Sequence, residues 1–164
     1  MLFRSYKDWL EDLKNAPIDS NDHKRWLLME YPWLRMEEDE AINYLDIEED
    51  KIYTFIDCAP RGWAKLCEDL CAELKPLLEK VGYVDKYRLC QVKEKYGGLR
   101  WYEWDAPAAI HDEYCALIRK YEDLSYKTCC ICGAPATKMS TGWICPFCDK
   151  CAEGFNDKFE PIKN

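Results

Sequence analysis

YRLCQVKEKYGGLRWYEW, residues 87–104, decides the fold: two strand-like runs, the second rich in aromatic residues, flank a pair of glycines. Such a pair between strand-like runs signals a tight antiparallel turn, whose central residues need positive φ. With Gly97-Gly98 as the turn, Tyr96 faces Leu99, Lys95 faces Arg100 and Lys93 faces Tyr102. Side chains alternate across a strand. One face then carries Cys90, Val92, Tyr96, Leu99 and Trp101 and reads as core. The other carries Gln91, Lys93, Lys95, Arg100, Tyr102 and Trp104, cations and rings together. A bulge would reassign these positions.

Helical patterns lie on both sides. Residues 5–14 form an amphipathic segment with Trp9, Leu10 and Leu13 inward, Ser5 as its cap and Asn15-Ala16-Pro17 as its stop. A second helix starts near Asp19 or Ser20 and carries Trp26, Leu27 and Met29 up to Pro32. IYTFID, residues 52–57, has the β-branched and aromatic content of a short strand. Leu66, Leu70, Leu74, Leu77 and Leu78 recur at helical spacing, Gly82 fits a C-terminal stop, and Pro76 should bend or split that helix. A further helix over 107–126 carries Ile110, Tyr114, Leu117, Ile118 and Tyr121 toward a cluster of cysteines.

Six of the eleven cysteines stand between Cys129 and Cys151. A tetrahedral structural zinc site takes four thiolates, usually two from each of two CxxC turns. Cys129 and Cys132, followed by Gly133, form one such turn. The second is Cys145/Cys148 or Cys148/Cys151. Both spacings are feasible, but Pro146 removes an amide from the former turn. The preferred ligands are therefore Cys129, Cys132, Cys148 and Cys151, holding a structural Zn²⁺. Cys67 and Cys71, one helical turn apart, read as small buried side chains, the alternative being a second metal with Cys58 or Cys90. His23 and His111 are isolated and read as surface or capping residues.

The run from Val92 to Tyr102, then Cys129-x2-Cys132-Gly133, then Trp143-x4-Cys148-x2-Cys151, resembles small proteins of bacteriophages, prophages and their hosts. Those carry a VKEKFGGLRFY-like hairpin, a helix and a C-terminal zinc ribbon. Gly62-Trp63 also resembles the GW that precedes the long helix in that group. The resemblance covers about residues 60–152, and the first sixty residues are individual to this chain. It favours Cys148 and Cys151 over Cys145, and implies a phage or mobile-element context. It supplies no activity.

The net charge of −8 makes the chain as a whole a poor polyanion binder. The charge is uneven. Glu37, Glu38, Asp39, Glu40, Asp46, Glu48, Glu49 and Asp50 form a run without Lys or Arg. This run is either a solvated helix end or a surface for a partner that normally binds nucleic acid. Lys93, Lys95, Arg100, Tyr102 and Trp104 are either a phosphate- and base-binding face or a packing face with solvated charges.

No apolar run suits a signal peptide or a membrane span, and abundant cysteines without one point to a reducing, cytoplasmic setting, the host cytoplasm for a phage protein. No serine elbow, phosphate-binding glycine loop or carboxylate pair in a clear acid–base context is present, and no local signature supports a Cys–His nucleophile.

The predicted architecture is α+β: helices on a small antiparallel sheet centred on 87–104 and ending in a zinc ribbon. The division is residues 1–126, with 1–59 as a distinct helical and acidic part, then a ribbon over 127–157 and a frayed tail. The expected function is a non-enzymatic, zinc-stabilised interaction protein that binds a host protein, inhibiting a defence or nucleic-acid-processing system. The alternative is nucleic-acid binding by the hairpin, and no membrane partner is expected.

Overall fold

A computed structural model describes residues 5–163. The first four residues and Asn164 lie outside the described residues. The architecture is α+β, with helices arranged around a two-stranded and a three-stranded antiparallel sheet.

Helix α1 (Tyr6–Asn15) begins at a capping box in which Asp8 N–H donates to Ser5 Oγ at 3.1 Å and Ser5 N–H donates to Asp8 Oδ2 at 3.0 Å. Helix α2 (Asn21–Glu30) begins where His23 N–H donates to Ser20 Oγ at 3.2 Å. The two helices pack as a hairpin on Leu13 and Leu27. Trp9, expected inward, is exposed and packs beside Tyr6, because this peripheral helix presses only a narrow stripe against the body. The acidic run contains helix α3 (Glu38–Tyr44), with Glu38, Asp39 and Glu40 in the first turn, where carboxylates favour the positive end of the dipole.

Residues 52–57 do not form the expected strand. Thr54 makes one isolated bridge to Arg35, and the chain then turns into a 3₁₀ helix over Phe55–Cys58. The threonine hydroxyl accepts from Ile56 N–H at 3.2 Å, and Asp57 Oδ2 accepts from Thr54 N–H at 2.7 Å. Local side-chain bonds outcompete the β preference of the branched residues here, which still bury Phe55 and Ile56.

A 3₁₀ turn (Arg61–Trp63) leads into α4 (Ala64–Lys80), which buries Leu66, Cys67, Leu70, Cys71, Leu74 and Leu78. The helix is continuous through Pro76 rather than split. Gly82, at φ 64°, ends it, with Tyr83 N–H donating to Leu78 O at 2.9 Å.

Strands β1 (Arg88–Lys95) and β2 (Gly98–Asp105) form the hairpin, with the turn one residue earlier than expected and each pairing two residues out of the expected register. Lys95 pairs with Gly98, Lys93 with Arg100 and Val92 with Trp101, so the turn is Tyr96-Gly97, at φ 53° and 87°. Gly98 is committed to the strand: a Cβ there would lie 2.8 Å from Cε1 of Tyr126 and nearer still to its Cζ. Tyr96 consequently sits exposed at the turn instead of in the core, and the register shifts near Leu89 leave Cys90 only partly buried.

Helix α5 (His111–Ser125) packs on α4 and covers β2. Between these elements, Trp33, Trp63, Tyr87, Leu70, Leu74, Leu99 and Ile110 are fully buried. Tyr87 Oη lies 2.6 Å from Tyr114 Oη and accepts from Trp101 Nε1 at 3.0 Å, so the deepest hydroxyls are partnered.

The C-terminal sheet has the order β4–β3–β5, from β3 (Lys138–Ser140), β4 (Pro146–Phe147) and β5 (Phe159–Pro161). Helix α6 (Asp149–Ala152) follows β4. Strand β5 corrects the expected frayed tail: Phe159 packs edge-on against Phe147 while its strand pairs along β3. Cys130, Cys145, Phe147 and Ala152 share one buried cluster with the main body. No described helix is long and apolar enough to cross a membrane.

Candidate metal centre

Four cysteines from two segments converge on one point. The Sγ atoms of Cys129, Cys132, Cys148 and Cys151 all lie within 4.8 Å of one another. These four are positioned to hold a metal ion. A tetrahedral ion with bonds of about 2.3 Å to sulfur sets an edge of about 3.8 Å between thiolates. The Cys132–Cys148 separation of 3.7 Å matches that edge, and the remaining donors lie within 4.8 Å of one another.

Each half is shaped locally. In the first knuckle Gly133, at φ 79°, reverses the chain, its N–H donating to Cys129 O at 2.9 Å. Ala134 N–H points at Cys132 Sγ at 3.5 Å. In the second, Cys148 precedes α6, and Cys151 N–H donates to its Sγ at 3.4 Å. Burial pushes the Cys129 thiol up, but backbone N–H groups of Cys132, Cys148 and Ile131 outweigh that and bring it down to about 7. Cys151 is pushed up to about 12, first by its hydrogen bond with Cys148 and then by burial. Backbone amides thus stabilise the Cys129 thiolate, the form that binds a metal.

The knuckle is joined to the body backbone to backbone. Gly62 N–H donates to Cys130 O at 2.9 Å, and Trp63 Nε1 donates to Thr128 O at 2.9 Å. A Cβ on Gly62 would stand 2.7 Å from Cys130 C and 2.8 Å from Gly133 N, closer than real Cβ contacts. Only glycine permits that approach. Sequence reasoning noticed Gly62-Trp63 without seeing this role, whose signal is tertiary.

Cys145 does not join the centre. Its thiol is buried and pushed up, first by a hydrogen bond with Cys130 and then by burial. Cys67 and Cys71 are fully buried in α4, burial pushing Cys67 up to about 12. Burial likewise pushes Cys58 up to about 11. Among the described residues, only the four-cysteine group gathers three or more metal-binding side chains.

His23, expected at the surface, is buried. Nδ1 faces Lys14 O at 2.8 Å and Nε2 faces Glu68 Oε1 at 2.7 Å, partners from elements too distant in sequence to foresee. His111, at the start of α5, is exposed, with Nε2 3.7 Å from Cys115 Sγ.

The hairpin residues divide. Lys93 and Lys95 stand over the rings of Tyr102 and Tyr96 at 5.8 Å each, and Trp104 is exposed. Arg100 is held instead against α5, donating to Glu122 Oε1 at 2.7 Å and to Tyr126 Oη at 3.3 Å. In the acidic segment Glu40 Oε2 accepts from Glu37 N–H at 3.0 Å, Glu48 pairs with Lys51 at 2.5 Å, and Glu38, Asp39, Glu49 and Asp50 are exposed.

No protein-family model, curated protein or solved structure matches the chain. The functional reading rests on this geometry.

Proposed function

We propose that the protein is a non-enzymatic interaction module whose binding surface is held in shape by one structural Zn²⁺ on Cys129, Cys132, Cys148 and Cys151. The convergence of four thiols carries the reading. Zinc is the ion such a set selects, because soft thiolates in a tetrahedron suit its size and lack of geometric demand. Four thiolates fill that coordination shell, leaving no position for a substrate or an activated water. The ion would tie the first knuckle to the start of α6 and fix the ribbon against the body.

The resemblance to phage and prophage proteins supports a host cytoplasm as the setting and a host protein as the partner. The exposed acids of 37–50 support a partner that handles nucleic acid, since they can occupy a cationic surface. Capture from a nuclease-treated bacterial lysate tests this reading. Recovery of one stoichiometric protein supports it. Binding of nucleic acid alone contradicts it.

The second reading, nucleic-acid binding, is favoured by Lys93 and Lys95, which have no carboxylate within ion-pair distance among the described residues and lie beside rings. It requires oligonucleotide affinity that falls steeply with salt and with Lys95→Glu.

A further inference from the structure

We infer that the groove between the hairpin and the metal knuckle binds the acidic segment 37–50 of a second copy of this chain. The groove encloses about 590 Å³. Pro60, Ile131 and Trp143 are among its apolar lining, and Arg61, Lys93 and Glu94 supply its charges. Ile131 is the tip of the Cys129–Cys132 knuckle, so the metal centre sets the position of one wall. Trp143 leaves 54% of its surface open, an unusual exposure for the largest side chain beside an apolar cleft.

The groove's charges are not balanced. Both oxygens of Glu94 are engaged, Oε1 by Gly97 N–H at 2.7 Å and Oε2 by Trp143 Nε1 at 3.1 Å. Arg61 is paired with Asp19. Lys93 keeps only the face of Tyr102 and has no carboxylate within ion-pair distance among the described residues. An occupant must therefore bring an apolar anchor and a carboxylate.

The same chain displays that combination elsewhere. Within the acidic run, Ile42 is 61% exposed, Tyr44 52% and Ile47 48%. Asp46 and Glu49 stand exposed among them. Three large apolar side chains on a strongly acidic segment match an apolar groove with one unbalanced cation. Because the two surfaces differ, a single contact leaves a free groove and a free segment, so the assembly closes as a reciprocal two-fold dimer or a larger ring, or grows as a chain. A single cleft of this size places it among weak, reversible contacts.

Sedimentation velocity on the zinc-loaded full chain, across the micromolar to near-millimolar range, tests this. Wild type should gain mass with concentration. Lys93→Glu disables the groove, and Ile42→Ala with Glu49→Lys disables the segment; Ile42 and Glu49 are exposed and Lys93 is half-buried with no ion pair to lose among the described residues, so folding should persist. Each variant alone should associate on the order of tenfold more weakly. Mixed in equal amounts, they should form a species of two chains and nothing larger, since one supplies the intact groove and the other the intact segment. Wild type that stays monomeric overturns the inference, including where the groove takes an oligonucleotide or another protein's acidic peptide instead. So does a mixture that stays monomeric, or a variant that associates as wild type does. None of these results bears on whether zinc is bound or a host protein captured.

Discussion

Replacing Gly62 by alanine places a methyl group between two backbones. Its Cβ would stand 2.7 Å from Cys130 C, 2.8 Å from Gly133 N and nearer still to Cys129 O, and none of these atoms ends a flexible side chain. Relief requires the knuckle to move by roughly 1 Å, enough to break the 2.9 Å Gly62 N–Cys130 O bond and stretch the 2.9 Å Trp63 Nε1–Thr128 O bond. Each such bond contributes about 1 kcal/mol, and a buried amide left unpaired costs about 1–3 kcal/mol more. The expected loss is about 3–5 kcal/mol, and with about 2–4 °C per kcal/mol at this chain length the melting temperature should fall by about 10 °C. Gly62 has no positive φ, so without the close approach alanine would stabilise by about 0.4–1 kcal/mol through the unfolded chain. The two accounts differ in sign. Denaturant unfolding, with metal content measured in parallel, decides between them, and a Gly62→Ala protein as stable as wild type refutes the backbone contact.

Three further outcomes are expected. Tyr96→Asn should stabilise the protein by about 0.5–1 kcal/mol, because Tyr96 occupies φ 53° in a turn that favours Asn-Gly; denaturant midpoints check it. Cys145→Ser should keep the full metal complement yet lose about 1–2 kcal/mol by placing a hydroxyl beside buried Cys130, whereas Cys148→Ser should lose the metal; elemental analysis beside unfolding curves separates them. Hydrogen bonds from Lys120 and Tyr121 hold the Glu73 carboxyl below its ordinary value. The stability it contributes is therefore present above pH 4.5, the ordinary value, and lost as pH falls through the lowered one. Glu73→Gln should flatten that acid limb in a series of melts.

What could be seen in the sequence was local. Ser5 and Ser20 announce their helices because a cap bonds to residues two or three positions ahead. The four converging cysteines were legible because each CxxC turn is a short unit and Pro146 weakens the competing one. The hairpin existed in the sequence, but its register did not: YGG offers two adjacent two-residue turns, and Tyr126, twenty-eight residues beyond Gly98, selects between them. The strand expected at 52–57 failed because Thr54 and Asp57 bond to the local backbone first. His23, Arg100 and β5 were misjudged or missed because Glu68, Glu122 and β3 reach them only after the chain has folded.

The most direct test of the central claim is elemental analysis of the purified full chain, followed by chelation and a melt. One equivalent of zinc per chain is expected, lost on Cys132→Ser, with chelation unfolding the ribbon of β3, β4, α6 and β5. A chain free of transition metal that still melts in one cooperative step, with the ribbon intact, would contradict it.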